Sequence, residues 1–391
     1  MRIVYCGAFR LPCFDAAAAR VINIGRALSM AGHDVGFFSW GGKYRECDLC
    51  DDGAYRIDNM TYTITNEIDG TSIFQKLKRM LLRGEKTLSI LKNANIKPDV
   101  VIMYNPPFAF TRKMMKLCKE NDIKLVSDIT EWYSDDELKF TERHSYHINM
   151  THLQHNVKNK IVISSWLDRY YNDSNNIVVP ATCDCKEQKW HSGRADDIPT
   201  FDGVTLIYAG NPARKDMVHV TINVVNKMIR TGAKLRFLIL GISRESYIKK
   251  YCNKLDDKNL CNQICFLGRV SQDSVPSYYR CADFMLLMRE PNRKSNAGFP
   301  TKFAESMTAG IPIIANATSD IARYIVSGNN GFLVEDCTAA SLEHTLLNAM
   351  ELGRNKDALK AMKSNARQCG EKHFDYRVYT SKLSNFINTL C

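Results

Sequence analysis

The segment Asn296-Ala297-Gly298-Phe299-Pro300-Thr301-Lys302-Phe303-Ala304-Glu305 is where residue types and spacing come closest to a ligand site. A glycine-containing loop runs there into a helix expected to open at Pro300 or Thr301 and to stop at Gly310. The first N–H groups of a helix have no partner within it, and the helix dipole is positive at that end, so such a start can seat a phosphate. Gly298 removes a side chain where backbone must approach a ligand, and Lys302 adds a positive charge. Glu305 lies three residues beyond Lys302, hence on the same helical face. Its carboxylate can accept hydrogen bonds from two vicinal hydroxyls, as on a ribose. Spacing alone suits an ordinary helix with a solvated Lys and Glu equally well.

Tyr208-Ala209-Gly210-Asn211-Pro212-Ala213-Arg214-Lys215-Asp216 reads as a strand end, a turn and a basic pair ahead of a helix. Cations at such a turn can meet an anionic ligand; the alternative is an exposed lysine at a helix start. Asp128-Ile129-Thr130-Glu131-Trp132-Tyr133 follows the expected strand Lys124–Ser127. Asp128 or Glu131 at a strand's carboxyl end can bind or deprotonate a ligand hydroxyl, and Trp132 offers an aromatic face for stacking. A helix cap followed by core aromatics reads the same residues equally well. His144, His147, His152 and His155 have a metal-like spacing but no acids or cysteines to complete a site. Of the fourteen cysteines, Cys47 and Cys50 form a CxxC and Cys183 and Cys185 a CxC, without a second matched pair. They read as reduced thiols acting as small hydrophobes, and neither a metal nor another cofactor is expected.

These residues need elements to position them. Short β-rich runs alternate with helical patterns in two series. The first has strands near Ile3–Cys6, Asp34–Phe38, Val100–Tyr104, Ile123–Val126, Lys160–Ser164 and Ile177–Val179, with helices such as Ala16–Ala31 between them. A polar stretch with Gly193, Pro199 and Gly203 then breaks the rhythm. The pattern resumes with Val204–Tyr208, Leu235–Leu240, Ile264–Leu267, Phe284–Met288 and Pro312–Ala315. Such alternation predicts an α/β chain of two doubly wound, Rossmann-like domains with parallel sheets. The expected boundaries are 1–185 for the first domain, 186–203 for a linker and 204–372 for the second. The amphipathic stretch 373–391 is expected to return to the first domain. Open sheets of this kind bind ligands beyond the carboxyl ends of their strands, so two facing domains would share a cleft.

The net charge of +11 suits a phosphate-bearing ligand, an anionic membrane or nucleic acid, without choosing among them. No run of 18 apolar residues occurs, so no membrane-spanning helix is expected. Met1–Gly7 reads as a strand entering a turn, without a secretory pattern, which points to the cytoplasm. Phe74–Lys86 mixes apolar residues at helical spacing with Lys and Arg. It reads either as a helix lying on an anionic membrane, through residues 74–92, or as a domain helix with a basic outer face.

The segment Asn296–Pro312 resembles the donor-binding signature of family four retaining glycosyltransferases of the GT-B fold. Within that family the likeness is greatest to the branch that assembles bacterial capsules, O-antigens and exopolysaccharides. The family pattern is a Glu, seven residues, a second Glu, then Gly-x-Pro. Glu305, Gly310 and Pro312 match its later part, whereas the first Glu falls at Ala297. Lys215 matches the family's diphosphate lysine; the usual arginine position holds Asn211, with Arg214 displaced nearby. Phe266–Val270, with Arg269 and Val270, resembles the loop whose backbone meets the nucleobase. Gly7 and Arg20 lie in stretches that resemble the family's opening loop and first helix. The resemblance implies a retaining transfer from a nucleotide-diphosphate donor, by base rate a UDP-sugar, to a saccharide or lipid-linked acceptor. It implies protein cations in place of a metal and no nucleic-acid partner. Gly298, Phe299, Pro300, Thr301, Lys302 and Glu305 would contact the donor; Gly7, Arg20 and Trp132 the acceptor. A GT-B sugar-nucleotide epimerase and a non-catalytic nucleotide-sugar-binding partner are the rival readings, the second kept open by Ala297. A Rossmann dehydrogenase is disfavoured because no GxGxxG follows Gly7.

Overall fold

A computed structural model describes residues 1–12, 15–67, 81–212, 216–251 and 260–390. The chain divides into two units, Met1–Thr182 with Tyr376–Cys391, and Cys183–Asp375.

The first unit is built on a sheet ordered β3-β4-β2-β1-β5-β6-β7-β8. Its strands are β1 (Arg2–Leu11), β2 (Asp34–Gly42), β3 (Arg56–Ile57), β4 (Met60–Ile64), β5 (Val100–Tyr104), β6 (Lys124–Ile129), β7 (Asn159–Val162) and β8 (Asn175–Val178). The pairings are parallel except that of β3 with β4. Alternate residues of β1 serve opposite faces, as a pleated strand requires. Ile3 and Tyr5 join one buried cluster, Val4 and Cys6 the other. The helix Ala16–Met30 starts where the Asp15 carboxylate accepts from the Ala18 N–H at 2.8 Å. It buries Ala18, Val21, Ala27 and Leu28 against the sheet. Tyr376, Leu383, Phe386 and Ile387 complete that same cluster. They come from the turn Tyr376–Tyr379 and the helix Thr380–Asn388.

In the second unit the sheet order is β11-β10-β9-β12-β13-β14, parallel throughout its described pairings. Its strands are β9 (Val204–Ala209), β10 (Leu235–Leu240), β11 (Ile264–Gly268), β12 (Phe284–Leu287), β13 (Ile313–Asn316) and β14 (Gly331–Val334). All residues of β9 and β10 are buried, which is why each reads as a near-continuous apolar run, broken only by Thr205 and Arg236, rather than an alternation. The chain moves outward one way from β9 through β10 and β11, and the other way from β12 through β13 and β14. The order therefore reverses between β9 and β12, where such sheets open a crevice beyond the strand ends.

Residues 186–203, read above as a linker, pack within this unit. The Arg280 guanidinium donates to the carbonyls of Lys189 (2.7 Å), Ser192 and Gly193. Arg367 donates to the Trp190 carbonyl at 3.1 Å, and Trp190 itself is buried. Polar composition concealed this, because the segment is held largely by side chains reaching its carbonyls and buries only the scattered apolar residues Trp190, Ala195 and Ile198, which form no periodic face. Residues 373–375, placed above with the returning helix, belong here too, with Phe374 fully buried.

Candidate active site

Strand ends at the β9–β12 reversal bring the two segments singled out in the sequence together. The helix Thr301–Thr308 starts after Pro300 without a side-chain cap, and of its first three N–H groups only that of Phe303, donating to the Pro300 carbonyl at 3.0 Å, is taken up locally. Phe299 anchors the approach, edge-on to Phe303 and Tyr324 and close to Phe374. Ahead of it, Asn292 caps the short helix Arg293–Ala297, and the Asn296 side chain accepts from the Ser319 N–H at 3.0 Å. Ala297 is fully buried. Gly298, Phe299 and Pro300 are buried, while Thr301, Lys302 and Glu305 are partly exposed.

Lys302 connects the segments. Its Nζ donates to Asp216 Oδ2 at 2.7 Å and to Tyr208 Oη at 2.9 Å, and lies 4.3 Å from the centre of the Tyr208 ring. The Tyr208 hydroxyl donates to the same carboxylate oxygen at 2.6 Å. Arg289 Nε stands 3.5 Å from Asp216 Oδ1. Asp216 and Arg289 also bridge β9's loop to the end of β12 through their backbones. Burial opposes ionisation of Asp216, but Lys302, Tyr208 and Arg289 outweigh it and hold its carboxyl below the usual range. Burial and the Asp216 charge push the Tyr208 phenol well up. Two cations thus surround one carboxylate at the sheet's reversal point.

The backbone here is shaped by glycines. Gly210 has φ +133°, and a Cβ on it would lie 3.0 Å from Lys302 Nζ. Gly241, after β10, has φ +99°, and a Cβ there would come within 2.4 Å of the Gly210 carbonyl carbon and oxygen. The Gly241 N–H donates to the Gly268 carbonyl at 2.6 Å, tying the ends of β10 and β11. Asn211 and Arg269 are exposed beside these turns, and Val270 is partly exposed. Arg214 and Lys215 lie outside the described residues. On the next turn of the Thr301–Thr308 helix, desolvation raises the Glu305 carboxyl despite Lys302, Lys189 and the Tyr279 hydroxyl, which donates to it at 3.5 Å. Sequence reading missed Tyr208, Asp216 and Arg289 as members of the site; the one available signal was a charge ending the apolar run of β12.

Several first-unit expectations change. Asp128 is fully buried and pairs with Arg20, with Nη2 to Oδ1 at 2.7 Å and Nε to Oδ2 at 2.9 Å. The Tyr5 hydroxyl donates to Oδ2, and Arg20 Nη1 donates to the carbonyls of Val179 and Pro180. The strand β6 runs on to Ile129, so Asp128 points into the interior instead of standing beyond the strand end. Both side chains are taken up by each other and by interior partners. Trp132 is 2% exposed, packed edge-on to Trp166 and Tyr170. Gly7, at φ +148°, is required by packing: a Cβ would meet the Tyr104 carbonyl at 2.7 Å. Glu131 is partly exposed and interacts with the Tyr133 side chain. It lines a cavity with Asn105, Tyr133, Tyr146 and Gln154 at the ends of β5 and β6. Gln154 is fully buried there, and its Oε1 has no hydrogen-bond partner among the described residues.

No group of three metal-ligating side chains occurs among the described residues. His144, His147 and His152 are exposed, and His155 Nδ1 contacts Asp173 at 3.1 Å. Most of the Phe74–Lys86 stretch lies outside the described residues; the helix Glu85–Asn93 packs Leu88 and Leu91 into the core. No described helix is long and apolar enough to cross a membrane.

Residues 200–369 match the model of the family Glycosyl transferases group 1. No curated protein sequence matches the chain. Among solved structures, sucrose-phosphate synthase from Thermosynechococcus elongatus is 15% identical, with 100% of this chain and 98% of that one covered and a TM-score of 0.73. A glycosyltransferase from Rickettsia africae is 16% identical, with 100% and 98% covered and a TM-score of 0.71. Anabaena HepE, solved in complex with UDP and glucose, is 13% identical over 100% of both chains, at a TM-score of 0.70. The second unit thus contains a glycosyl transferases group 1 domain, and the chain has the two-domain α/β fold of the GT-B glycosyltransferases.

Proposed function

We propose that the protein is a retaining glycosyltransferase that moves a sugar from a nucleotide-diphosphate donor, a UDP-sugar, to a saccharide or lipid-linked saccharide in bacterial polysaccharide assembly. The observation that carries this reading is the meeting of the uncapped Thr301–Thr308 helix start with the Tyr208–Asp216 loop through Lys302, at the reversal point of the second sheet. There the diphosphate rests on the first-turn N–H groups, beside Gly298 and Gly210, with the Lys302 ammonium next to it and Arg214 and Lys215 as further cations. Glu305 accepts from the ribose hydroxyls, and the turns after β10 and β11, with Arg269 and Val270, take the nucleobase. The complex of Anabaena HepE with UDP-glucose supports the choice of donor.

The departing diphosphate is stabilised by fixed positive charge, so no metal is called upon. In a retaining transfer the acceptor oxygen attacks from the face that the diphosphate leaves. Glu131, with the ring faces of Tyr133 and Tyr146 beside it, is the group in the first unit suited to a saccharide hydroxyl. The amphipathic stretch 74–92 would bring a lipid-linked acceptor's membrane close, on the cytoplasmic side.

A thermal-shift screen of UDP, GDP and ADP tests the donor site, because a ligand that binds only the folded chain raises Tm. UDP is expected to raise it, and Lys302→Met and Glu305→Ala to abolish the rise. A full shift in both variants would sink this reading. Donor bound without sugar transfer would instead favour a non-catalytic partner, and isomerised donor an epimerase.

A further inference from the structure

A buried ion pair is weak evidence of stabilisation, since desolvation offsets most of its Coulombic gain. The pair between Asp216 and Lys302 therefore invites another explanation. Asp216 is 6% exposed, and the Lys302 side chain 17%, so the ammonium stands at the edge of the cluster and the carboxylate beneath it. Of the ammonium's three N–H groups, Asp216 and Tyr208 take two. Gly210 places no side chain over Nζ. With Arg289 and Lys302 positive and Asp216 ionised, the cluster carries one net positive charge, half of what its two cations would supply alone.

We propose that Asp216 is the resident counter-ion of Lys302: it holds the ammonium in place before the donor binds and competes with the diphosphate for it. It thereby sets how tightly a nucleoside diphosphate is held and how quickly it departs. The inference rests on the donor-site reading above. An unpaired Lys302 would bind the diphosphate more strongly but also retain the product. Keeping a carboxylate against it trades ground-state affinity for release, which suits an enzyme whose turnover depends on losing that product.

The test is a double-mutant cycle read by calorimetric titration with UDP and by UDP release during turnover of UDP-glucose. Asp216→Asn releases the Lys302 ammonium from the carboxylate that holds it at 2.7 Å, so the diphosphate no longer competes for it, and UDP binding is expected to tighten about tenfold. KM and kcat should both fall, as product release slows. In a Lys302→Met background the same substitution should change UDP binding less than twofold. Should the amide variant fold poorly, Asp216→Ser asks the same question. A residue that only supports the fold would lower Tm and leave affinity unchanged or weaker, and that result would overturn the inference while leaving the donor site standing. Lys302→Met binding UDP like the parent would overturn both.

Discussion

A guanidinium and a carboxylate that share an interior site are hard to separate, because removing one leaves the other charged and unsolvated. Arg20 and Asp128 form such a pair, 4% and 0% exposed, with Tyr5 donating to the same carboxylate. Asp128→Asn should therefore cost about 3–5 kcal/mol, as breaking one side of a buried pair does. For a domain of roughly 200 residues that corresponds to a fall in Tm of about 10 °C. Thermal unfolding followed by circular dichroism measures it. An unchanged Tm with lost transfer would return Asp128 to the groups that touch substrate. Lys302 and Asp216 differ from this pair in one respect, the partial exposure of the lysine, and that is where a ligand can enter the balance.

At the scale of the elements, the site depends on turns that approach one another too closely for side chains. Gly241→Ala places a Cβ 2.4 Å from the Gly210 carbonyl in a left-handed backbone, whereas Gly268, at φ +67°, meets nothing within 4 Å. Gly241→Ala should lower stability by about 2–4 kcal/mol and weaken UDP binding. Gly268→Ala should cost about 1 kcal/mol from its φ alone. Equal losses in urea denaturation would show that close approach of the two turns is not what matters. Strands such as β5, β9 and β10 were legible because each is a short, mainly apolar run, interrupted only by Thr205 in β9 and Arg236 in β10. Sequence reading passes over the short β3, β4 and β14, although Met60, Tyr62 and Ile64 alternate with threonines in β4 as a half-buried strand requires; two to five residues are too few to stand out from the surrounding loops. The site has a limit of its own. Gly298, Lys302 and Glu305 share one local segment whose spacing speaks for itself. Arg289 and Tyr208 reach Asp216 only once β9 and β12 lie side by side. Asp128 was misread because a strand's last residues look the same whether they end inside the sheet or beyond it.

Across the whole molecule, many thiols are held in the interior. Burial pushes Cys118 up to about 12 and Cys185 up to about 12, and raises Cys6 and Cys183 further. In the unfolded chain these groups lose their protons from about pH 9. The unfolded state then binds fewer protons than the folded one, so stability is complete below pH 9 and falls as pH rises beyond it. Lys160 acts the other way: burial lowers it to about 8, so its contribution grows from pH 8 towards 10.5. Cys118→Ala removes one thiol, and its stability relative to the parent should improve by about 1 kcal/mol between pH 9 and pH 10. Parallel pH curves from denaturant titration in the presence of reductant would refute this. The return of Tyr376, Leu383, Phe386 and Ile387 to the first unit has a consequence for biosynthesis. On the ribosome, the second unit emerges whole while the Ala16–Met30 helix still shows uncovered apolar surface. The nascent chain must carry that sticky face through most of its own translation, which makes the first unit a natural client for a chaperone until residues beyond 376 arrive to seal it.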